Sequence, residues 1–508
     1  MRVRALGLVV VVGVAVGWGQ GAGAEIRLPK MLSAHAVLQR DRPIHVWGWS
    51  DPGACVRVQF HGQSAQACGN AVGMWSTYLQ PEAAGGPYLL TVAAESGGDG
   101  AKLSVEDLLV GDVWFASGQS NMEMPLKGFG ADTPVKDGAK EIAAATHPQM
   151  RLLRLEKKAM SYPLDDVPET WTTCTPETAA AFSAVAYFFG RELEESEHVP
   201  IGLIDATWGG TPIESWISLE AIGQDAGLMP LFASRAEFVA GRAEMPATLA
   251  AEKREDAEAV KQGKPKPRHQ WHPGEDASWN PSYLYNGMVA PVTGYTVRGF
   301  LWYQGESNSD PERAPLYKRE MPALIKDWRA QWGEGELPFL WVQLSSFDSP
   351  REEWGQVREA QRESLSVTNT AMAVSYDVGT PGNVHPPDKQ TVGHRLAVGA
   401  RTISYSEKLE WSGPLVRSAD RTSDTVRVRF DHAEGLHASG AVKGFQVVGK
   451  DGVFQPARAT IEGDSVVVAS DAVKEPVGVR YGYENVTDAN LQNRANLPAA
   501  AFAVTVRE

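Results

Sequence analysis

The chain has 508 residues, of which 43% are hydrophobic and 22% are charged, a composition typical of globular proteins with more than one core. Its formal net charge of -14 at pH 7 leaves no broad basic surface, which disfavours binding to nucleic acid or to an anionic membrane. Two or three domains and a neutral substrate are therefore expected.

The first 24 residues have the pattern of an export signal. Arg2 and Arg4 precede an apolar run over 6–18, and small residues follow up to Ala24. The alternative is a membrane anchor, but the run is shorter than the roughly 20 apolar residues that a span needs, and glycines interrupt it. We expect cleavage after Ala24 and an exported, periplasmic or extracellular protein that has no membrane segment once the signal is removed.

Short strands separated by turn residues fill the stretch 25–105, which predicts a β-sandwich-like module. Cys55 and Cys68 lie in this stretch, and they either bridge two neighbouring strands or remain two buried thiols, because spacing alone does not decide between these states. Cys174 is the third cysteine of the chain, and three are too few for a disulfide-framed fold.

Apolar runs alternate with helical stretches over 106–405. This alternation predicts an α/β catalytic domain with a parallel sheet and helices on both faces. Strand alternation returns over 406–508 and predicts a second β-sandwich-like module. The expected order is therefore an α/β domain flanked by two β-modules.

Residues 222–285 are expected to form an insertion in the α/β domain. A helical segment rich in Ala and Glu, interrupted at Pro246, leads into a Lys/Pro-rich run that cannot form a core element. His269 and His272 lie just after this run, where a solvated loop is a better interpretation than a metal site.

The strongest local signal is the segment 111–122, where an apolar strand leads into Gly118 and then into a polar stretch able to begin a helix. Such a turn places Ser120 at the carboxyl end of a strand, where open α/β sheets bind ligands. Backbone N–H groups at the start of the helix can stabilise an oxyanion there. The alternative is a capping box formed by Ser120 and Glu123, which requires no catalysis.

A second strand end, after 204–207, also leads into a glycine turn. Glycine lets the backbone approach a ligand closely, so an N–H of this turn is a candidate oxyanion donor. The alternative is a turn glycine without a function.

A third strand end, after 301–303, is followed by Gln304, Glu306 and Asn308. The side-chain amide of Gln304 or Asn308 is suited to an oxyanion hole because it donates a hydrogen bond without titrating. An ionised Glu306 cannot donate, so we interpret it as an organiser of the Ser120 loop, with an exposed loop carboxylate as the alternative.

His385 is the best placed of the eleven histidines to act as a general base. It lies between a strand at 371–376 and a helix predicted to begin near Lys389. A serine nucleophile needs a base that titrates near neutrality, and histidine is the usual one. A loop histidine is more often simply exposed, so the assignment depends on its combination with Ser120.

Together these segments resemble the SGNH/GDSL hydrolases, and among them the sialate O-acetylesterase family of carbohydrate esterases. The resemblance covers nearly the whole chain after residue 24, and the blocks in this order are highly specific. The blocks are Val-Trp-Gly at 46–48, Gly-Gln-Ser-Asn-Met at 118–122, Trp-Gly-Gly-Thr at 208–211, Trp-Tyr-Gln-Gly-Glu-Ser-Asn at 302–308, His-Pro at 385–386 and Asp-Lys-Gln-Thr-Val-Gly at 388–393.

The resemblance implies an SGNH-type fold and a defined chemistry. Ser120 would attack an acetyl ester with His385 as general base, and the N–H groups of Ser120 and Gly210, with a polar side chain, would form the oxyanion hole. No metal or organic cofactor is expected. The implied partner is an acetylated saccharide, either a plant or bacterial glycan or O-acetylated sialic acid.

One position departs from the family pattern. SGNH enzymes commonly carry an aspartate three residues before the catalytic histidine, where this chain has Gly382. Asp377, at the preceding strand end, is the candidate that would orient the ring of His385. If Asp377 does not orient the ring, Asn383 or a backbone carbonyl would set the tautomer of His385, and the catalytic pair would be a Ser-His dyad.

Two other functions stay open at this level. A broader short-chain esterase or lipase-like hydrolase predicts a longer apolar acyl groove. A catalytically inactive carbohydrate-binding protein would keep the scaffold without the chemistry. The intact motifs around Ser120 and His385 favour the acetylesterase.

Overall fold

A computed structural model describes residues 26–95, 102–233, 236, 245–267, 269, 277–349 and 351–508. The predicted export signal at 1–24 lies outside these residues. None of the described helices combines the length and the apolar character that a membrane crossing requires.

Six short strands precede the central sheet: β1 (Val37–Gln39), β2 (Ile44–Trp49), β3 (Cys55–Phe60), β4 (Gln63–Cys68), β5 (Met74–Leu79) and β6 (Gly85–Ala94). Strands β4, β3 and β6 form an antiparallel sheet, and β2 pairs with β5. Cys55 and Cys68 lie directly opposite each other on β3 and β4 and form a disulfide. Of the two predicted states of Cys55 and Cys68, the structure therefore has the disulfide. Cys174 is a buried free thiol.

Strand β7 (Lys102–Gly118) is 17 residues long and belongs to two sheets. Its first half pairs with β6 in antiparallel fashion, and its second half lies between two parallel strands of the central sheet. The boundary predicted between residues 105 and 106 falls inside this strand. The N-terminal module and the α/β domain thus share one strand.

The central sheet continues through β8 (His147–Arg154), β9 (Thr172–Cys174), β10 (Ile201–Thr207), β11 (Gly299–Tyr303), β12 (Phe339–Gln343) and β13 (Thr370–Val374). The order is β13-β12-β11-β7-β10-β8, all parallel, with β9 antiparallel at one edge. Every residue of β10 to β13 is buried. Uninterrupted burial of this kind is expected of parallel strands covered on both faces, and it confirms the predicted fold class.

The described α-helices are α1 (Ser120–Glu123), α2 (Gly138–Ala144), α3 (Pro176–Ala180), α4 (Ala184–Glu197), α5 (Leu219–Gln224), α6 (Met245–Lys261), α7 (Ala314–Trp332), α8 (Trp354–Glu363) and α9 (Lys389–Tyr405). Trp114 of β7 packs on Phe189 of α4, while the next residue, Phe115, packs on Trp328 of α7. Successive side chains of a strand point to opposite faces. Helices therefore cover both faces of the sheet, as predicted.

The predicted insertion is partly described. Helix α6 buries none of its side chains, as expected of a segment outside the core. The described helix begins at Met245, so Pro246 stands at its second position, where the N–H that proline lacks would have no partner within the helix. The Nε2 atom of His269 lies 3.0 Å from Asp256 Oδ1 on this helix, whereas His272 lies outside the described residues.

Antiparallel strands close the chain, in two four-stranded sheets and one two-stranded sheet among the described residues. These strands are β14 (Leu415–Thr422), β15 (Thr425–Asp431), β16 (His437–Ala438), β17 (Phe445–Val448), β18 (Phe454–Pro456), β19 (Arg458–Glu462), β20 (Ser465–Ala469), β21 (Gly478–Tyr481), β22 (Leu491–Gln492) and β23 (Phe502–Thr505).

Arg358 of α8 joins this C-terminal module to the α/β domain. Its buried guanidinium donates to the carbonyl oxygens of Leu344 and Ser345 after β12, and to three carbonyl oxygens of the C-terminal module, those of Gly482, Glu484 and Asn485. All five N–H groups of the side chain are thereby used. The module is fixed beside the carboxyl ends of the strands.

Candidate active site

Ser120 lies immediately beyond the carboxyl end of β7, near the middle of the parallel sheet. The turn before it requires glycine, because Gly118 has φ +136° and a Cβ there would lie 2.2 Å from the carbonyl oxygen of Tyr303. The N–H of Gln119 donates to that same carbonyl at 3.0 Å. Ser120 then begins α1, so the structure has the strand-turn-helix arrangement that the sequence predicts.

The capping-box alternative for Ser120 and Glu123 is wrong. The residue that caps α1 is Gln119, whose side chain makes no capping bond. The Glu123 carboxylate instead accepts from the N–H of Gly209 at 2.5 Å and from Lys157 Nζ at 2.6 Å. Glu123 therefore ties the turn after β10 to α1.

That turn lies directly against Ser120. A Cβ built on Gly209 would stand 3.1 Å from the Cβ of Ser120. Gly210 has φ +73°, and its carbonyl accepts from Trp279 Nε1 at 2.7 Å, which fixes the orientation of the turn. Within the described part of the chain, the N–H groups of Ser120 and Gly210 make no hydrogen bond, so both remain available as donors.

The amides of Gln304 and Asn308 are buried and already engaged. Gln304 Nε2 donates to the carbonyl of Thr211 at 3.2 Å and to Asn308 Oδ1 at 2.7 Å. Asn308 Nδ2 donates to Glu214 at 3.0 Å and Glu320 at 3.4 Å. Both side chains brace the turn that contains Gly210, and a role of either amide as an oxyanion donor stays a prediction.

Glu306 is only 8% exposed, so the alternative of an exposed loop carboxylate is wrong. Its Oε1 accepts from Asn121 Nδ2 at 2.5 Å, and the Oε1 of Gln119 accepts from the N–H groups of Gly305 and Ser307. The residues on either side of Ser120 are therefore both held by the loop after β11, which is the contact pattern expected of a loop organiser. Burial raises the pKa of Glu306, and its hydrogen bond to Asn121 opposes that rise.

His385 lies in a loop that also contacts the Ser120 segment. Asn121 Nδ2 donates to the carbonyl of Val384, the preceding residue, at 2.9 Å. The ring of His385 packs edge-on against Phe129 with a centroid distance of 5.1 Å. Burial and the nearby charge of Lys389 lower the pKa of His385 to about 4, so its imidazole is neutral at pH 7.

The structure does not join Asp377 to His385 by a hydrogen bond. Both oxygens of Asp377 accept from Arg395 of α9, at 2.7 and 2.6 Å. Asn383 Oδ1 accepts from the backbone N–H of His385 at 2.9 Å and so shapes the loop rather than holding the ring. Among the described residues the His385 ring makes no hydrogen bond, either to an orienting group or to the Ser120 hydroxyl, and its one ring contact given by the structure is with Phe129.

We expect Asp377→Asn to keep kcat/KM for p-nitrophenyl acetate within about tenfold of the wild type, whereas loss of an orienting triad aspartate costs about 10⁴-fold. The asparagine can still bond to Arg395, and His385 loses no contact. Steady-state kinetics at several pH values provide the test. A drop of three orders of magnitude would restore Asp377 as the orienting group.

Sequence reasoning did not predict that Lys389 is buried against the Ser120 segment, although it correctly predicted that a helix begins near this residue. The side chain is completely buried, and its Nζ donates to Asn121 Oδ1 at 2.6 Å. A lysine at the first position of a helix opposes the helix dipole, which favours acidic groups at that end. A lysine at a position that disfavours lysine was therefore the one sign in the sequence that this residue has a special environment.

Comparison with known proteins finds carbohydrate esterases. A family model described as carbohydrate esterase, sialic acid-specific acetylesterase, matches residues 110–226 and 268–401. A sialate O-acetylesterase of Mus musculus is 31% identical over 447 residues, covering 79% of this chain and 78% of that protein. The Homo sapiens protein of the same name is 32% identical over 440 residues, covering 78% and 74%. The crystal structure of a carbohydrate acetylesterase from Xanthomonas citri shares 38% identity with a TM-score of 0.80, covering 94% of this chain and 99% of that one.

The α/β sheet and these matches define a carboxylic-ester hydrolase. The alignments extend well beyond the catalytic motifs and over most of the chain. The chain belongs to the sialate O-acetylesterase family.

Proposed function

We propose that the chain is an exported carbohydrate O-acetylesterase in which Ser120 is the nucleophile and His385 the general base. The observation that carries this proposal is the double contact of Asn121, which holds the Ser120 segment to Glu306 and to the carbonyl before His385. Two backbone N–H groups that make no hydrogen bond among the described residues, those of Ser120 and Gly210, lie in the turns after β7 and β10. These contacts support a site in which a nucleophile, a base and oxyanion donors act together at the carboxyl edge of the sheet.

The reaction proceeds through an acetyl-enzyme. Ser120 Oγ attacks the ester carbonyl carbon while His385 takes its proton, and the oxyanion of the tetrahedral intermediate faces the N–H groups of Ser120 and Gly210. Collapse of the intermediate expels the sugar hydroxyl, which receives the proton from His385. A water molecule then gives a proton to His385 and attacks the acetyl-enzyme, and the second tetrahedral intermediate releases acetate when the bond to Ser120 Oγ breaks and His385 returns the proton to that oxygen. A neutral imidazole at pH 7 is the form that this sequence requires.

Export is supported by two features. The N-terminal segment has the charged, apolar and small-residue regions of a signal peptide. The Cys55–Cys68 disulfide fits an oxidising compartment outside the cytosol.

Aromatic side chains at the site favour a saccharide substrate. Phe129 is 43% exposed and contacts the ring of His385, and Trp208 is partly exposed beside the Ser120 turn. Such faces pack well against the apolar faces of sugar rings. The proposed substrates are acetyl esters on plant or bacterial glycans or on sialic acid.

Acetate release from O-acetylated sialic acid and from acetylated xylan, measured side by side, tests the proposal and separates the two substrate classes. A series of p-nitrophenyl esters from acetate to octanoate tests the lipase-like alternative, which requires the longer acyl chains to be preferred. If the full chain hydrolyses none of these esters, the remaining alternative is a catalytically inactive carbohydrate-binding protein.

Phe129→Ala is expected to raise KM for an acetylated saccharide about three- to tenfold, because one aromatic contact is worth roughly 0.5–1.5 kcal/mol. The KM for p-nitrophenyl acetate, which has no sugar ring, should change less. Tyr78→Ala, which removes a 62% exposed ring on the N-terminal module, is the matched control. Equal changes for both substrates would contradict a sugar contact at Phe129.

A further inference from the structure

A lysine without an assigned role lies in the middle of the candidate active site. Lys389 is the first residue of α9, four residues after His385, and its side chain is completely buried. Burying an ammonium group is costly unless partners compensate for the lost water. The compensation here comes from the site itself.

Three segments converge on Lys389 through Asn121. Lys389 Nζ donates to Asn121 Oδ1 at 2.6 Å, while Asn121 Nδ2 donates to Glu306 and to the carbonyl of Val384. One asparagine amide therefore uses its acceptor and its donors on α9, on the loop after β11 and on the His385 loop. Asn121 directly follows Ser120, so this network fixes the backbone on which the nucleophile sits.

The charges around Lys389 are few. Glu306 attracts it from the loop after β11, the ring of Tyr303 lies 5.6 Å from Nζ, and Asp388 attracts it from the helix cap. Asp388 is itself paired with Lys136 at 3.3 Å. Farther along α9, Arg395 is neutralised by Asp377.

We propose, on the basis of the function above, that Lys389 is a positioning residue that locks the Ser120 segment through Asn121 and whose charge, at the start of the helix that follows the His385 loop, disfavours a second positive charge on the His385 ring. Burial is the larger cause that lowers the pKa of His385 and the charge of Lys389 is the second, while Phe129, which packs against the ring, is uncharged. Burial lowers the pKa of Lys389 to about 7, so Lys389 is protonated over the acidic range in which His385 titrates.

Lys389→Met in the full chain tests this role. We expect the acid limb of the kcat/KM profile for p-nitrophenyl acetate to move up by about one pH unit, since His385 no longer feels a neighbouring positive charge. We also expect kcat to fall, because Asn121 loses one of its anchors. Lys389→Arg should keep the limb in place, and Lys140→Met, at an exposed lysine of α2, should change neither quantity.

A merely structural lysine would lower kcat/KM equally at all pH values, and an unmoved acid limb in folded Lys389→Met would overturn the proposal. If Lys389→Met does not fold, Lys389→Gln removes the charge but still donates to Asn121. NMR titration of the His385 ring gives a readout independent of catalysis. If Ser120→Ala retains activity, the proposed function fails, whereas an upward shift in the His385 titration would still support the effect of Lys389.

Discussion

Ser120→Ala is expected to lower acetate release by about 10⁴-fold or more, because removal of a catalytic serine eliminates the covalent route. The fold should persist, since within the described residues the Ser120 hydroxyl makes no hydrogen bond whose loss would destabilise the chain. Acetate release and thermal unfolding, measured on the same preparation, check both parts.

Covalent labelling sharpens this test. A fluorophosphonate should modify the wild type once, and peptide mass spectrometry should locate the adduct at Ser120. His385→Ala should label far more slowly, because no base accepts the serine proton. An adduct at another serine, or hydrolysis by Ser120→Ala at a rate comparable to the wild type, would show that the nucleophile is elsewhere.

Arg358→Met is expected to lower the free energy of unfolding by about 3 kcal/mol or more. Methionine fills much of the space but leaves five carbonyl oxygens without the Arg358 donor, three of them in buried hydrogen bonds and two in part-buried ones. Burial lowers the pKa of Arg358 to about 9, so the wild-type guanidinium is still charged at pH 7 and bonds strongly. Urea unfolding measures the loss, and limited proteolysis should show the C-terminal module cut sooner.

The matched control is Arg417→Met, at an exposed ion pair on β14, where a change of at most about 1 kcal/mol is expected. Equal unfolding midpoints for Arg358→Met and the wild type would contradict a stabilising role of Arg358 between the α/β domain and the C-terminal module.

The strand ends of the candidate site were predictable because they depend on local sequence. A buried parallel strand reads as a short apolar run, and the glycine and polar residues after it mark its carboxyl end. The strand ends before Ser120, before the turn at 208–211 and before Glu306 were located in this way. His385 was selected as the candidate general base because of its position after a strand and because of the family resemblance.

The roles of the amides could not be predicted, because they depend on partners that are distant in sequence. Asn308 is held by Glu214 and Glu320, and nothing in its own segment indicates those contacts. The same holds for Asp377, which the sequence places near His385 but which α9 binds through Arg395. The local sequence pattern predicts which residues lie at the carboxyl ends of the strands. Their hydrogen-bond partners, which come from distant segments, decide which of these side chains are available to a substrate.

Strand β7 also sets a limit on truncation. One strand leads from the N-terminal sheet to the turn that presents Ser120, although Asp107 within it has φ +54° and its pairing with β6 shifts register. Because its first half pairs with β6 and its second half with β10, a chain that began at residue 106 would lack part of the strand that ends beside Ser120. Removal of the N-terminal module would therefore also shorten the central strand of the α/β domain.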